Sequence, residues 1–244
     1  MLALVWKRSD VRESSRLVTL LTRERGRVVA LAKGAHRPGS VLLGRIDFLN
    51  RVDVTFAGRG MPLLGKAALV HEPRALRRSP RFETAAHLCQ TLDHAWLADQ
   101  PDPELFDLTL GMITLVERAP LESLGVVVAG VELRLLRHLG SFAGAEHCAS
   151  CGATLDQGPL WAGPIEGGLG CEQHRPERSR RVHPDALRWL GTLDATAGRD
   201  WPRLRPGPQH GEVLALLGNW LGTALEHRLP LRPLCLTSLA APSP

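Results

Sequence analysis

Two short cysteine motifs constrain this chain more than any other feature of its sequence. Cys148 and Cys151 enclose two residues, and after a spacer of nineteen residues Cys171 and His174 repeat that spacing. Each motif places two metal ligands on one tight turn, and the spacer is long enough to fold back on itself. The sequence therefore predicts a tetrahedral zinc site made by these four side chains.

The spacer between the two motifs is too poor in apolar residues to fold by itself. It contains six glycines, and its main large apolar side chains are Leu155, Trp161 and Leu169. Burying so few groups does not offset the entropy lost when the backbone is ordered. A bound metal would supply the missing free energy. Because four protein ligands leave no open position for a catalytic water, we expect one structural zinc per chain.

The sequence leaves two alternatives to this site open. The cysteines could be ordinary thiols, or Cys148 and Cys151 could form a redox dithiol or a disulfide. In addition, His147 and His183 lie close enough in sequence to compete with His174 as the fourth ligand.

Positive charge is concentrated at the beginning of the chain. Residues 1 to 70 contain 13 Lys and Arg against 5 Asp and Glu, a net charge of +8, whereas residues 71 to 244 have a net charge of −3. A basic face concentrates phosphates by Coulomb attraction, so this asymmetry predicts a polyanion-binding module followed by a region with other partners. The alternative is a solvated basic surface that has no ligand.

One loop in the basic region is the strongest candidate for contact with phosphates. It comprises residues 34 to 40, is rich in Gly and Pro, and has Lys33 and Arg37 on either side of its first turn. We expect it to be mobile and to contact the phosphates of a polyanion together with a broad field of arginines: Arg8, Arg12, Arg16, Arg23, Arg25, Arg27 and Arg45. Aromatic residues are scarce here, and Phe48 and Phe56 are expected to fill the interior, so binding should be mainly electrostatic.

The first 71 residues have the period-two pattern of short, half-buried strands. We predict strands at 2 to 7, 16 to 22, 27 to 33, 47 to 56 and 63 to 71, with a hairpin turn at 23 to 26. Five strands with little helix favour a small closed barrel, because an open sheet of this size would leave exposed edges. We therefore expect a barrel domain over residues 1 to 78.

The rest of the chain has the pattern of a helical domain, predicted over residues 79 to 244. We predict helices at 80 to 98, 103 to 118, 121 to 139, 184 to 197 and 211 to 228. Ser79 with Pro80 and Asp102 with Pro103 each combine a capping side chain with proline at a first helical position. The zinc module, at about 144 to 178, is then an insertion in this domain, and the fold class is α+β.

The remaining sequence features favour an intracellular protein. The cysteines outside the proposed site, Cys89 and Cys235, do not resemble a disulfide framework. The beginning of the chain lacks the order of charges of a signal peptide, and the longest apolar stretch is far shorter than a membrane span. We expect a cytoplasmic location.

Several stretches in combination resemble the RecO family of bacterial DNA repair proteins. The resemblance is carried by Arg12 to Thr22, Gly26 to Val28, Ala32 to Ala35, and Glu132 to Gly140 leading into the first cysteine motif. It covers essentially the whole chain. The sequence departs from the family where His174 stands in place of a frequent fourth cysteine.

The resemblance implies an OB-fold barrel, a helical domain with a zinc motif, and a recombination mediator of RecF-type repair that is not an enzyme. It implies binding of single- and double-stranded DNA, annealing of complementary strands, association with RecR, contact with the acidic tail of single-strand binding protein, and help in loading RecA. A nucleoid-associated location follows from these roles. Arg134 and Arg137, on the helix predicted at 121 to 139, are the candidates for binding the acidic tail; the alternative is a solvated face.

Two other classes of protein share some of these features. A zinc-containing RNA-binding or transcription-associated factor could have the same basic barrel and metal module. A metal-dependent nuclease would need clustered carboxylates, but the first 70 residues have only five, scattered over different predicted elements. Strand annealing without cleavage would distinguish the three classes.

Overall fold

The computed structural model describes residues 1–11, 13–58, 60–97, 100–142, 144–155, 159–163 and 168–240. Arg12, a member of the predicted basic field, lies outside the described residues. The chain forms two compact units, the first made of Met1–Arg77 with Trp96–Ile113 and the second of Arg78–Ala95 with Thr114–Pro244. Residues 96–113 thus pack in the same unit as the strands, although they follow them only after a long helix.

The first unit contains a closed barrel of five strands. They are β1 (Leu2–Val11), β2 (Ser15–Thr22), β3 (Gly26–Ala32), β4 (Arg51–Ala57) and β5 (Leu63–His71). Their order around the barrel is β1-β2-β3-β5-β4, which is the order of an OB-fold. The single parallel pairing, Leu31 with Leu63, closes the barrel between β3 and β5. The predicted barrel and its five strands are therefore confirmed, although β1 continues to Val11, beyond its predicted end at residue 7.

Burial alternates along the barrel strands as a period of two requires. On β4, Val52 and Val54 are buried, whereas Asp53 and Thr55 are exposed. The buried side chains form one apolar core: Ala3, Val5, Val18, Leu20, Ala30, Ala32, Ala35, Ile46, Val52, Val54, Leu64 and Ala67. The partly buried ring of Phe56 packs against this core, as predicted.

The structure corrects the start of the fourth strand, which is Arg51 and not Asp47. The preceding residues form α1 (Leu42–Arg45) and a turn. Asp47 Oδ1 accepts a hydrogen bond from the amide of Phe48 at 2.7 Å, and the amide of Asn50 donates to the carbonyl of Asp47 at 3.0 Å. Such local bonds offer the backbone an alternative to strand pairing. Phe48, expected inside the barrel, is 40% exposed on this turn.

The predicted hairpin turn joins β2 to β3 and depends on a glycine. Gly26 has a φ of +63°, a conformation that side chains with a Cβ atom rarely adopt. A Cβ atom built on Gly26 would lie 2.1 Å from the carbonyl oxygen of Gln100, which belongs to the same unit. The absence of a side chain at residue 26 therefore allows both the conformation of the turn and the close packing of Gln100 against the barrel.

The helices of the chain lie close to their predicted positions. They are α2 (Arg81–Ala95), α3 (Pro103–Arg118), α4 (Leu124–His138), α5 (Pro184–Ala195), α6 (His210–Ala224) and α7 (Leu231–Ala240). The last was not predicted, because Pro230 and Pro233 suggest a break. Proline is tolerated in the first turn of a helix, where its missing N–H has no intrahelical partner.

The two predicted helix caps have different outcomes. Asp102 Oδ1 accepts a hydrogen bond from the amide of Leu105 at 2.9 Å and caps α3 as expected. The prediction for Ser79 and Pro80 was wrong, because α2 begins at Arg81 and Pro80 precedes its first helical residue.

Helix α4 forms the centre of the second unit, and most of its residues are buried. Gly130 permits a close contact, because a Cβ atom at this position would lie 2.5 Å from the ring of Trp201. That tryptophan belongs to a 3₁₀ helix, Gly198–Arg203, and its indole N–H donates to the carbonyl of Leu193 on α5 at 3.2 Å. None of the described helices is long and apolar enough to cross a membrane.

A small sheet follows α4 and precedes α5. It consists of β6 (Leu160–Ala162), β7 (Leu169–Gly170) and β8 (Arg180–Val182), in the order β7-β6-β8. Its position in the chain agrees with the predicted insertion in a helical region. The indole N–H of Trp220, on α6, donates to the carbonyl of Gly163 at 2.9 Å and ties the end of β6 to the helices.

A fully buried carboxylate connects three helices of the second unit. Glu132 on α4 accepts two hydrogen bonds from the guanidinium of Arg232 on α7, at 2.7 and 2.8 Å, and one from His87 Nε2 on α2 at 2.8 Å. Burial favours the neutral acid, but the bonds from Arg232 and His87 outweigh it, so the pKa of Glu132 is lowered.

We predict that Arg232→Met destabilises the protein by about 3–5 kcal/mol, because it leaves a buried carboxylate without its cation. Urea denaturation would measure the change, with Arg203→Met as the control, since Arg203 forms an exposed ion pair with Asp200. Because the folded protein lowers the pKa of Glu132, its contribution to stability is fully present above pH 4.5, its ordinary pKa. This contribution is lost as the pH falls from there through the lowered pKa. Equal losses in both variants would contradict this role of the network.

Candidate functional site

The four predicted metal ligands converge in the second unit. The ligand atoms of Cys148, Cys151, Cys171 and His174 all lie within 4.8 Å of one another. The sulfur atoms of Cys151 and Cys171 are 3.9 Å apart, and Cys171 Sγ lies 3.4 Å from His174 Nδ1. Side chains separated by more than twenty residues of sequence thus form one cluster that could hold one metal ion.

Backbone hydrogen bonds shape the two motifs and bring them together. In the first motif the amide of Gly152, which has a φ of +70°, donates to the carbonyl of Cys148 at 2.9 Å. In the second, the amide of His174 donates to the carbonyl of Cys171 at 3.1 Å. A bond of 2.9 Å from the amide of Ala149 to the carbonyl of Leu169 joins the first motif to β7, which leads directly into the second.

The chemistry of the cluster fits a metal that prefers thiolate and imidazole ligands. Burial by itself would raise the pKa of Cys148, but hydrogen bonds from the backbone of Cys171, Cys151 and Ser150 lower it to about 6. At neutral pH this thiol is therefore largely in the thiolate form, which is the form that binds metal. Thiolate and imidazole together suit zinc better than magnesium or calcium, which prefer oxygen ligands.

The structure also bears on the alternatives for this site. All five cysteines are free, so Cys148 and Cys151 do not form a disulfide. Neither His147 nor His183 is a member of the cluster, and its fourth member is His174. Nδ1 of His183 instead accepts a hydrogen bond from the amide of Asp185 at 3.1 Å and caps α5.

In the first unit, Lys33 and Arg37 lie on an exposed loop of the barrel, as predicted. Gly34, with a φ of +67°, begins the turn, and the amide of Arg37 donates to its carbonyl at 3.1 Å. Both cationic side chains are exposed, and neither has an ion-pair partner among the residues that the structure describes. Two positive charges are therefore available to an anion at this turn.

The arginines of the predicted basic field differ in how far other groups of the barrel unit already occupy their guanidinium groups. Arg8 pairs with Asp47, Arg16 with Asp10 at 2.6 Å, and Arg23 with Asp107 at 3.1 Å. Arg25 lies over the ring of Phe56, with its guanidinium carbon 5.2 Å from the ring centre. Arg45 donates to the carbonyl of Ala67, and Arg27 is partly buried on β3. The sequence did not reveal these carboxylate partners, because most of them are distant along the chain.

One of these carboxylates also anchors the cationic loop. Asp10 Oδ1 accepts hydrogen bonds from Arg16 Nε at 2.6 Å and from His36 Nε2 at 2.9 Å. Both bonds lower the pKa of Asp10, to about 2, and the bond from Arg16 has the larger effect. The amide of His36 donates to the carbonyl of Ser14 at 3.2 Å. The loop, expected to be mobile, is therefore attached to the barrel at its middle.

The two arginines predicted to bind an acidic peptide make contacts within the second unit. Arg134 donates to the backbone carbonyls of Asp194 and Thr196 at 3.0 and 3.1 Å. Arg137 forms a two-point ion pair with the carboxylate of Asp194 and lies over the ring of Phe142. A peptide carboxylate at Arg137 would have to compete with Asp194, so the peptide-binding role stays a prediction.

Comparison with known protein families gives matches to two adjacent parts of the chain. Residues 2–72 match the family described as "Recombination protein O N terminal". Residues 81–233 match the family described as "Recombination protein O C terminal". The first match covers the barrel strands, and the second covers the metal cluster and the buried carboxylate of Glu132.

Curated proteins similar to this chain carry the name "DNA repair protein RecO". The protein from Nocardioides sp. is 32% identical over 93% of this chain and 94% of its own length. That from Heliobacterium modesticaldum is 34% identical over 85% of this chain and 77% of its own length. That from Rhodopirellula baltica is 30% identical over 78% of this chain and 74% of its own length.

Proposed function

The chain belongs to the RecO family of DNA repair proteins, and we propose from that premise that it binds single- and double-stranded DNA through its barrel and anneals complementary strands. The observation that carries the proposal is the exposed turn bearing Lys33 and Arg37, whose charges no described carboxylate neutralises. Lysine and arginine side chains bind backbone phosphates without reading sequence. Such contacts leave the bases free to pair with a second strand.

We propose that the protein acts by binding and not by catalysis. A nuclease of the two-metal type needs carboxylates gathered around metal ions. On the barrel, Asp10 is occupied by Arg16 and His36, and Asp53 by the amino group of Met1 at 2.9 Å. These pairings favour an annealing role over cleavage. An RNA-binding or transcription-associated function is the second candidate, supported only by the basic barrel and the metal cluster.

The wider role that we propose is mediation of RecF-type recombinational repair in the cytoplasm, at the nucleoid. In that role the protein would associate with RecR, contact the acidic tail of single-strand binding protein and help to load RecA onto coated DNA. Support comes from family membership together with the split of charge between a basic barrel region and a mildly acidic remainder.

For the metal cluster we propose structural zinc, one ion per chain, held by Cys148, Cys151, Cys171 and His174. Zinc bound there would supply folding free energy to a segment that has little apolar surface of its own. The chain's contribution is to hold four ligand atoms within reach of one ion and to keep Cys148 ionised at neutral pH.

We predict close to one equivalent of zinc in protein expressed with sufficient metal, measured by elemental analysis. Cys171→Ser should lose the metal and lower the melting temperature strongly, because the binding energy of the metal is folding energy. Cys235→Ser is the matched control, since Cys235 is buried on α7 outside the cluster. Less than about half an equivalent in the wild-type protein would count against the site.

We predict that Lys33→Glu combined with Arg37→Glu weakens DNA binding more than any other pair of charge reversals on the barrel. Each lost phosphate contact should reduce the magnitude of the salt slope by about one for duplex DNA and somewhat less for single strands. Unrelated sequences should be affected equally. Binding titrations over a range of salt concentrations, together with an annealing assay on naked DNA and on DNA coated by single-strand binding protein, would measure these effects.

The control for this double variant is Arg199→Glu with Arg203→Glu, which reverses two exposed charges in the second unit. Zinc content and melting temperature should stay near wild type in both variants. If the barrel variant folds normally and anneals DNA with an unchanged salt dependence, the loop is not the site, and Arg178, Arg180 and Arg181 become the better candidates. Cleavage of the DNA by the wild-type protein would refute the annealing role.

We predict that an acidic peptide with an apolar end, like the tail of single-strand binding protein, binds at Arg134 and Arg137 in competition with Asp194. Alanine at both arginines should lower the affinity about tenfold, the loss expected for charge-assisted hydrogen bonds. Asp194→Asn should raise the affinity, because it releases the guanidinium of Arg137. Calorimetry with Arg203→Ala as control tests both changes, and unchanged affinities would show that the peptide binds elsewhere.

A further inference from the structure

The small sheet beside the metal cluster presents an aromatic residue in the middle of its outer face. On β6, Leu160 and Ala162 are buried, whereas Trp161 between them is only partly buried. The other five tryptophans of the chain are all buried. Trp161 is therefore the tryptophan that solvent and ligands can reach.

The guanidinium group of Arg175 lies over the ring of this tryptophan. Its central carbon is 3.7 Å from the centre of the Trp161 ring, and its Nε donates to Ser179 Oγ at 3.3 Å. The indole N–H donates to Glu172 Oε2 at 2.8 Å, which fixes the ring from its other end. Arg175 is exposed, so the side of its guanidinium plane that faces away from the ring is open to a ligand.

Two glycines allow the Arg175 segment to lie across the sheet. A Cβ atom at Gly170 would lie 2.4 Å from the carbonyl oxygen of His174, and one at Gly163 would lie 2.7 Å from the ring of Pro176. The backbone on both sides of Arg175 is thus packed directly on the strands. The guanidinium itself is held by its contact with Trp161 and by its bond to Ser179.

Two further exposed arginines belong to the same segment of the chain as Arg175. Arg181 pairs directly with Trp161 across β6 and β8, so both side chains point to the same face of the sheet, and Arg181 is exposed. Arg178 lies in the turn before β8 with a φ of +53°, where glycine or asparagine would be less strained.

We propose that this face binds an unpaired base of single-stranded nucleic acid, with the base stacked on the guanidinium plane of Arg175. Unpaired bases stack on arginine planes as well as on aromatic rings. In this arrangement Arg175 contacts the base and Trp161 is a positioning residue that holds Arg175 in place. Arg178 and Arg181 bind the phosphates on either side.

Charge and shape both favour nucleic acid as the ligand. Residues 168 to 183 contain four arginines against two glutamates, and one glutamate, Glu172, is engaged by the indole of Trp161. A flat cationic plane with flanking cations matches a flat base with flanking phosphates. This surface belongs to the second unit and the Lys33 and Arg37 loop to the first, but the inference rests on the proposed binding of DNA.

The deciding experiment compares two single-stranded oligonucleotides of equal length, one normal and one with abasic sites throughout, by fluorescence anisotropy with the full chain. Arg175→Lys keeps the positive charge but removes the plane. We expect it to weaken binding of the normal strand about fivefold or more and to leave the abasic strand within about twofold of wild type. Trp161→Leu should have the same selective effect.

The matched control is Arg199→Lys, an exposed arginine on the 3₁₀ helix Gly198–Arg203, which should change neither affinity. Zinc content and melting temperature identify a folding defect in Trp161→Leu, and in that case the exposed Arg175 variant decides alone. Unchanged binding of the normal strand by Arg175→Lys, or an equal loss on both strands, would overturn the proposal.

Failure of the proposed DNA-binding function is distinguishable from failure of this inference. If the wild-type protein binds neither strand, DNA binding itself is wrong. If it binds both and the Lys33→Glu, Arg37→Glu variant binds less tightly, the barrel assignment holds whatever Arg175→Lys does. If only Arg175→Lys discriminates between the normal and abasic strands, the base-stacking site stands and the barrel loop does not.

Discussion

The region between α4 and α5 depends on the convergence of four side chains that could hold one metal ion. Its sheet has strands of only two or three residues, which bury too little apolar surface to be stable alone. Three contacts fix it: the approach of Cys148 and Cys151 to Cys171 and His174, the backbone bond between the first motif and β7, and the bond from Trp220 to Gly163. The position of Trp161 and Arg175 on the sheet therefore depends on the same contacts that hold the cluster together.

On the barrel, the distribution of carboxylates decides which positive charges are available to a polyanion. A net charge of +8 over residues 1 to 70 suggests a uniform basic surface. The structure instead pairs Arg8, Arg16 and Arg23 with acidic residues, and it leaves Lys33 and Arg37 without such partners among the described residues. Since exposed ion pairs are worth little in free energy, these carboxylates reduce the local field more than they stabilise the fold. The net charge of the barrel region predicts that it attracts a polyanion such as DNA. The ion pairs between arginines and carboxylates determine where on the barrel this attraction is strongest.

Much of the fold could be predicted from the sequence, because local patterns determine it. The alternation along Val52 to Phe56 predicted β4, and the two cysteine motifs predicted the ligand set that the structure brings together. The start of β4 was missed because Asp47 and Asn50 form local hydrogen bonds that no hydrophobic pattern shows. Helix α7 was missed because Pro230 and Pro233 suggest a break in helical structure. The ion pair between its Arg232 and Glu132 was missed because these residues are a hundred positions apart in the sequence. Most carboxylate partners of the barrel arginines were also missed because they are distant from these arginines in the sequence.

The two proposed contacts with DNA would differ in what they do to the bases during annealing. Phosphate contacts at Lys33 and Arg37 hold a strand and leave its bases free. A base stacked on Arg175 must leave that plane before it can pair. Base stacking on a protein side chain is worth about 1–3 kcal/mol, and stacking in duplex DNA about 1.4 kcal/mol per base-pair step. The exchange is close to balanced, so a complementary strand could remove the base from Arg175 at little net cost in free energy. A stack of this strength would order a single strand while it is unpaired and release it when its complement arrives.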